Sequence, residues 1–202
     1  DGFSCTMRAL ARLLIRWLKP LDAERVHIVG HSMGGVVGLH AAELLGTRAA
    51  SLVSLEGNLD VEDCVFSGKI ATLPQDAFER HGLAVFRAML GTLLEKEPGP
   101  GLERYARDLG RADPKALHRC ACSLVQESRE GRLRERFVDL PLRKAYFGGE
   151  RSKGPGHRTF LSGNGIPYHV VEGGGHFMMD DRPDRFWPLL AEVLRGRPRS
   201  NP

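Results

Sequence analysis

Apolar positions change their spacing along the chain, and each change marks an element. From Ser4 to Lys19, Met7, Leu10, Leu13, Leu14, Trp17 and Leu18 recur at helical intervals. This predicts an amphipathic helix that Pro20 helps to stop. Arg25 to Gly30 (RVHIVG) is a short β-branched run and reads as a buried strand. Val36, Val37, His40, Ala41, Leu44 and Leu45 return to helical spacing, and Gly46 is placed to end that helix in the left-handed conformation. Ser51 to Glu56 (SLVSLE) reads as a second strand. Strand, helix and strand within about thirty residues form a βαβ unit, which implies a parallel sheet with a right-handed crossover.

From Leu59 to Leu140 the pattern is helical, with Phe78, Val85, Phe86, Met89 and Leu93, then Leu117, Cys120 and Leu124, on either side of a PGPG break at Pro98 to Gly101. Strand patterns resume at Leu142 to Phe147 (LRKAYF) and at Tyr168 to Val171 (YHVV). A last helix carries Phe186, Leu190, Val193 and Leu194 on one face. The expected class is α/β, a mostly parallel sheet flanked by helices. Its core comes in two parts, 1–58 and 141–195, with a helical insertion over 59–140 and a frayed basic tail over 196–202. No internal repeat is visible.

Composition narrows the setting. The chain has 202 residues, 42% hydrophobic and 27% charged, which suits one globular domain with a sizeable core. No run approaches the ~18 apolar residues of a membrane span, and no secretory signal is recognisable, so a soluble cytoplasmic protein is expected. The 29 Lys and Arg against 25 Asp and Glu leave a net charge of +4. The cations are interspersed with acids rather than gathered into a stripe, which argues against nucleic acid as a partner. Cys5, Cys64, Cys120 and Cys122 read as reduced, buried thiols. Cys120-Ala-Cys122 has no second Cys/His pair at ligand spacing, so no metal site is expected.

The strongest chemical signal is Gly30-His31-Ser32-Met33-Gly34-Gly35, a G-x-S-x-G sequence between a predicted strand and a predicted helix. A turn this sharp strains its central residue, and the flanking glycines remove side chains that would collide. Ser32 is thereby expected above the carboxyl ends of the strands, with the following helix N-terminus favouring negative charge. A serine hydroxyl needs a nearby base. His176, in the Val171-Glu-Gly-Gly-Gly-His176 segment between the last strand and the last helix, fits best, because three glycines allow a tight loop. His31 is read as a packing or pocket residue, and His27 as a strand residue.

On these residues the chain resembles the α/β-hydrolase family, over about residues 1–195 and corresponding to the family's C-terminal two thirds. The resemblance implies that Ser32 is the nucleophile of an elbow made by Gly30, His31, Gly34 and Gly35. It further implies that 59–140 is a lid, that His176 is the base, and that the Met33 N–H is one oxyanion donor. The strands and second oxyanion loop that the family places upstream are not found after Asp1, and the expectation is a chain lacking that N-terminal portion. In most of the family the acid follows the seventh strand, in a G-x-x-D turn, but here Gly149-Glu150-Arg151-Ser152 puts Ser in its place. Some members, including certain haloalkane dehalogenases, place a Glu at the end of the sixth strand, where Glu56 stands. Glu56 is the leading candidate, with Glu150 and Asp60 as alternatives.

The leading functional expectation is a serine hydrolase acting on a small-molecule ester, thioester or similar acyl substrate through an acyl-enzyme, without cofactor or metal. The alternative is a non-catalytic binding protein of the same fold, or an inactive remnant. Val26, Ile28 and Val29 lack the Pro or inward charge that protects a free strand edge, so self-association through that edge is also expected.

Overall fold

Strands β1 (Val26–His31), β2 (Ala49–Leu55), β3 (Arg143–Gly149) and β4 (Tyr168–Val171) pair in parallel in the spatial order β1-β2-β3-β4. The computed structural model describes residues 2–152 and 156–196, so Asp1 and the tail residues 197–202 lie outside the described residues. Helix α1 (Met7–Leu18) precedes the sheet and α2 (Met33–Leu45) joins β1 to β2. Between β2 and β3 run α3 (Val65–Ala71), α4 (Gln75–Ala77), α5 (Leu83–Lys96), α6 (Pro100–Leu109), α7 (Pro114–Glu130) and α8 (Leu133–Asp139). Helix α9 (Arg158–Gly163) joins β3 to β4, and α10 (Met178–Asp181) and α11 (Pro183–Arg195) follow β4.

The period-two alternation of strand side chains assigns each apolar residue to one face of the sheet. Ile28, Leu52 and Tyr146 pack with Met7 and Ala11 of α1, Val36 and Leu39 of α2, Phe137 of α8 and Leu161 of α9. Val53, Ala145, Phe147 and Val171 face the other way, against Met178 of α10 and Phe186, Leu189 and Leu190 of α11. Helices on both faces of a parallel sheet are the layer arrangement that the βαβ pattern implied. The insertion has its own core of Ile70, Phe78, Phe86, Leu90, Leu109 and Ala121, so its aromatics pack mainly against one another.

The structure corrects several boundaries. Helix α1 begins at Met7 rather than Ser4, because Thr6 caps it by accepting a hydrogen bond from the Ala9 N–H at 3.2 Å. Its stripe is only partly used: Met7 and Ala11 are buried, whereas Leu13, Leu14 and Trp17 are exposed, Trp17 by 75%. β1 is likewise an edge strand whose Ile28 is buried while Val29 is 40% exposed. In the PGPG segment Pro100 and Gly101 open α6, so the break falls just before them, as a proline at the first helical position allows. All four cysteines are free, but Cys120 and Cys122 are only half-buried, which differs from expectation. Burial, with Cys5 alongside, pushes the Cys120 thiol up to about 11. No helix among the described residues is long and apolar enough to cross a membrane.

Candidate active site

Because all four strands are parallel, their carboxyl ends lie on one side of the sheet, and the segments leaving them carry Ser32, Glu56, Ser152 and His176 in turn. Ser32 stands between β1 and α2 at φ 52°, ψ −123°, a region that non-glycine residues rarely adopt. Two hydrogen bonds hold it there: its N–H donates to Leu55 O at 3.0 Å and its carbonyl accepts from the Gly35 N–H at 2.8 Å. A Cβ on Gly30 would meet Gly34 O at 2.3 Å, and one on Gly35 would meet Gly57 Cα at 2.7 Å. Gly34 has open space around it, so the steric demand on the turn falls on Gly30 and Gly35. Met33 is the first residue of α2, where a backbone N–H has no intrahelical acceptor.

Glu56 follows β2 in a left-handed conformation, φ 43°, and its side chain reaches His176. Glu56 Oε2 accepts from His176 Nδ1 at 2.7 Å and from Ser152 Oγ at 2.7 Å, while Oε1 accepts from the Gly149 N–H at 2.8 Å. Burial by itself would raise the Glu56 pKa, but the His176, Gly149 and Ser152 hydrogen bonds together hold it below the usual carboxylate value. The carboxylate is therefore charged where it meets the imidazole. Among the described residues His176 Nε2 has no protein partner, and no hydrogen bond joins it to Ser32.

His31 packs directly against this pair. Its ring lies 4.6 Å from that of His176, and its Nε2 is 2.8 Å from the His176 carbonyl. Burial first, and then the neighbouring His176 charge, lower its pKa to about 4, so a neutral His31 donates the hydrogen bond. Phe177 continues the row of rings, 5.4 Å from both His31 and Tyr105 of α6, and Tyr105 stacks on Phe66 of α3 at 6.1 Å. A Cβ on Gly101 would meet Phe177 Cβ at 2.1 Å, and Arg104 pairs with Asp180 at 2.7 Å. The insertion is thus docked on the segment that carries His176.

The model of the Alpha/beta hydrolase family matches residues 2–189. The chain belongs to the alpha/beta hydrolase family. Among solved structures, this α/β hydrolase is similar to an esterase from Thermogutta terrifontis, with a TM-score of 0.75 and 18% identity over 95% of this chain and 72% of that one. A bromoperoxidase from Bacillus anthracis aligns with a TM-score of 0.71 and 18% identity over 96% and 76%. An N-acyl homoserine lactonase complexed with N-butanoyl homoserine aligns with a TM-score of 0.70 and 17% identity over 99% and 74%. At such identities the likeness is one of fold. No curated protein matches the chain by sequence.

The alternative acids of this α/β hydrolase lie elsewhere. Glu150 Oε2 accepts from the Gly173 N–H at 2.8 Å, which ties two surface turns together. Asp60 caps the short turn Val61–Asp63 and pairs with Arg134. Sequence reasoning overlooked His157, which is buried and bonded to Asp63 at 2.9 Å. Asp60, Asp63 and His157 present ligand atoms within 4.8 Å of one another, but the Arg134 guanidinium lies against Asp60 and 3.4 Å from His157 Nδ1, so a cation already fills that place. Sequence reasoning named Ser152 only as a missing acid, yet a hydroxyl at the expected acid position was itself the signal of a hydrogen-bond donor.

Proposed function

We propose that this α/β hydrolase is a serine hydrolase that cleaves an ester, thioester or similar acyl bond through an acyl-enzyme. Ser32 Oγ attacks the acyl carbon while His176 Nε2 takes its proton; the bond to the leaving group breaks as that proton is returned to it. Water, activated by the same imidazole, then releases the acid. Glu56 holds His176 through Nδ1 and offsets the charge it gains, and the Met33 N–H donates to the developing oxyanion. The chemistry as drawn needs neither cofactor nor metal.

The observation that carries the proposal is the 2.7 Å hydrogen bond between Glu56 Oε2 and His176 Nδ1 at the strand ends where Ser32 occupies its strained turn. Structural likeness to an esterase and a lactonase supports acyl transfer as the reaction class, although a fold hosts more than one chemistry. The insertion serves as the lid, and the ring row Phe177, Tyr105 and Phe66 favours a moderately apolar acyl group. A second copy is the proposed partner, pairing through the open β1 edge where Val29 is exposed; light scattering of the purified chain as a monodisperse monomer would remove that element.

The test is labelling by a fluorophosphonate probe together with turnover of a short p-nitrophenyl ester. Labelling and turnover that both vanish in Ser32→Ala support the proposal. A folded protein that neither labels nor turns over would instead favour a non-catalytic binding role for the same strand-end site.

A further inference from the structure

Glu56 reaches His176 on a side chain with three rotatable bonds, and such a carboxylate does not hold an imidazole unless something fixes it. The end of β3 and the turn after it provide two donors, one for each oxygen: the Gly149 N–H at 2.8 Å on Oε1 and the Ser152 hydroxyl at 2.7 Å on Oε2. The turn is itself closed by Ser152 N–H donating to Gly149 O at 3.1 Å, and anchored to the His176 segment by Glu150 N–H on Val171 O and Arg151 N–H on Gly174 O. A serine hydroxyl has one proton to donate, and here it points at the oxygen that also receives His176 Nδ1. The donor on Oε1 is a backbone N–H; the one this turn offers to Oε2 is a side chain and depends on the residue at 152.

We infer that Ser152 is a positioning residue of this site, setting the orientation of the Glu56 carboxylate toward His176 by hydrogen-bonding the same oxygen. The inference rests on the triad proposed above.

The experiment compares wild type with Ser152→Ala and Ser152→Thr, using p-nitrophenyl ester turnover and thermal melting. Loss of a hydrogen bond to a charged group predicts a fall in kcat of roughly tenfold for Ser152→Ala, with KM unchanged. Ser152→Thr, which keeps the hydroxyl, recovers most of the loss. A merely structural serine would not produce that split, in which kcat falls with KM unchanged and returns with the hydroxyl. The inference is overturned by Ser152→Ala keeping kcat within twofold of wild type, or by a folded Ser152→Thr losing as much kcat as Ser152→Ala. Failure of the triad itself reads differently, as Ser32→Ala leaving turnover intact.

Discussion

His176–Glu56 and His157–Asp63 join the same two chemical groups at 2.7 Å and 2.9 Å, and both lie in loops at the carboxyl ends of the strands. They differ in what is left over. The His157 side chain is 1% exposed and both of its nitrogens are engaged, Nε2 with Asp63 and Nδ1 with Arg134, which can only donate. Asp63 also accepts from the Leu59 and Asp60 N–H groups at 2.7 and 3.0 Å, so this pair ties the loop after Glu56 to the segment that enters α9. The His176 side chain is 32% exposed, and its Nε2 is unpartnered among the described residues. An imidazole acts as a base only through a nitrogen that the fold leaves open, so one pair suits chemistry and the other suits architecture.

The largest break in this comparison is Glu56→Gln, which removes the carboxylate and leaves the shape. It is expected to lower kcat by about 10³-fold or more, as loss of the orienting acid does in such triads. Comparable ester turnover in wild type and Glu56→Gln would dissolve the distinction between the two pairs. Asp63→Asn is the mirror case. Breaking a buried hydrogen-bond network around a charged group from one side costs about 3 kcal/mol, which for a chain of this length lowers the melting temperature by about 6–12 °C. Its kcat, measured on the folded fraction, stays within about threefold of wild type because nothing that touches the reacting atoms has gone.

A third imidazole sharpens the contrast through pH. His31 is lowered from 6.5 to about 4, so the unfolded chain takes up a proton on it at a higher pH than the folded chain does. The stability this neutral histidine provides is complete above pH 6.5 and is lost as pH falls toward 4, amounting to about 3 kcal/mol once both states are protonated. Urea unfolding at pH 7 and at pH 4.5 measures it, and the difference should shrink in His31→Gln. The smallest effect belongs to Glu150→Gln. Its carboxylate caps an exposed turn and does not touch His176, so turnover is expected within about twofold of wild type. A loss larger than that of Glu56→Gln would transfer the acid role to Glu150.

Much of the fold was legible because it rests on periodicity. The strand runs RVHIVG, SLVSLE and YHVV, and the return to helical spacing between Leu59 and Leu140, follow from side-chain geometry that any chain obeys. The elbow was legible because strand, glycine, serine and helix must adjoin in sequence to make it. Burial of the α1 stripe was not, since Leu13, Leu14 and Trp17 become core only where another element covers them, and none of the described residues does so. The Glu56–His176 contact spans 120 positions in the chain, and spacing carries no information at that range.

The sequence by itself determined which elements form, in what order, and where a strained serine would stand, because these depend on local sterics and on apolar period. The tertiary structure alone decided which carboxylate meets which imidazole. Glu56, Asp60 and Glu150 are all acids near strand ends, and only the parallel pairing of β2 with β3, and of β3 with β4, carries one of them to His176, one to Arg134 and one to a surface turn. Ser152 belongs to the same lesson: its hydroxyl became a donor to the acid only because that pairing sets the end of β3 beside the end of β2.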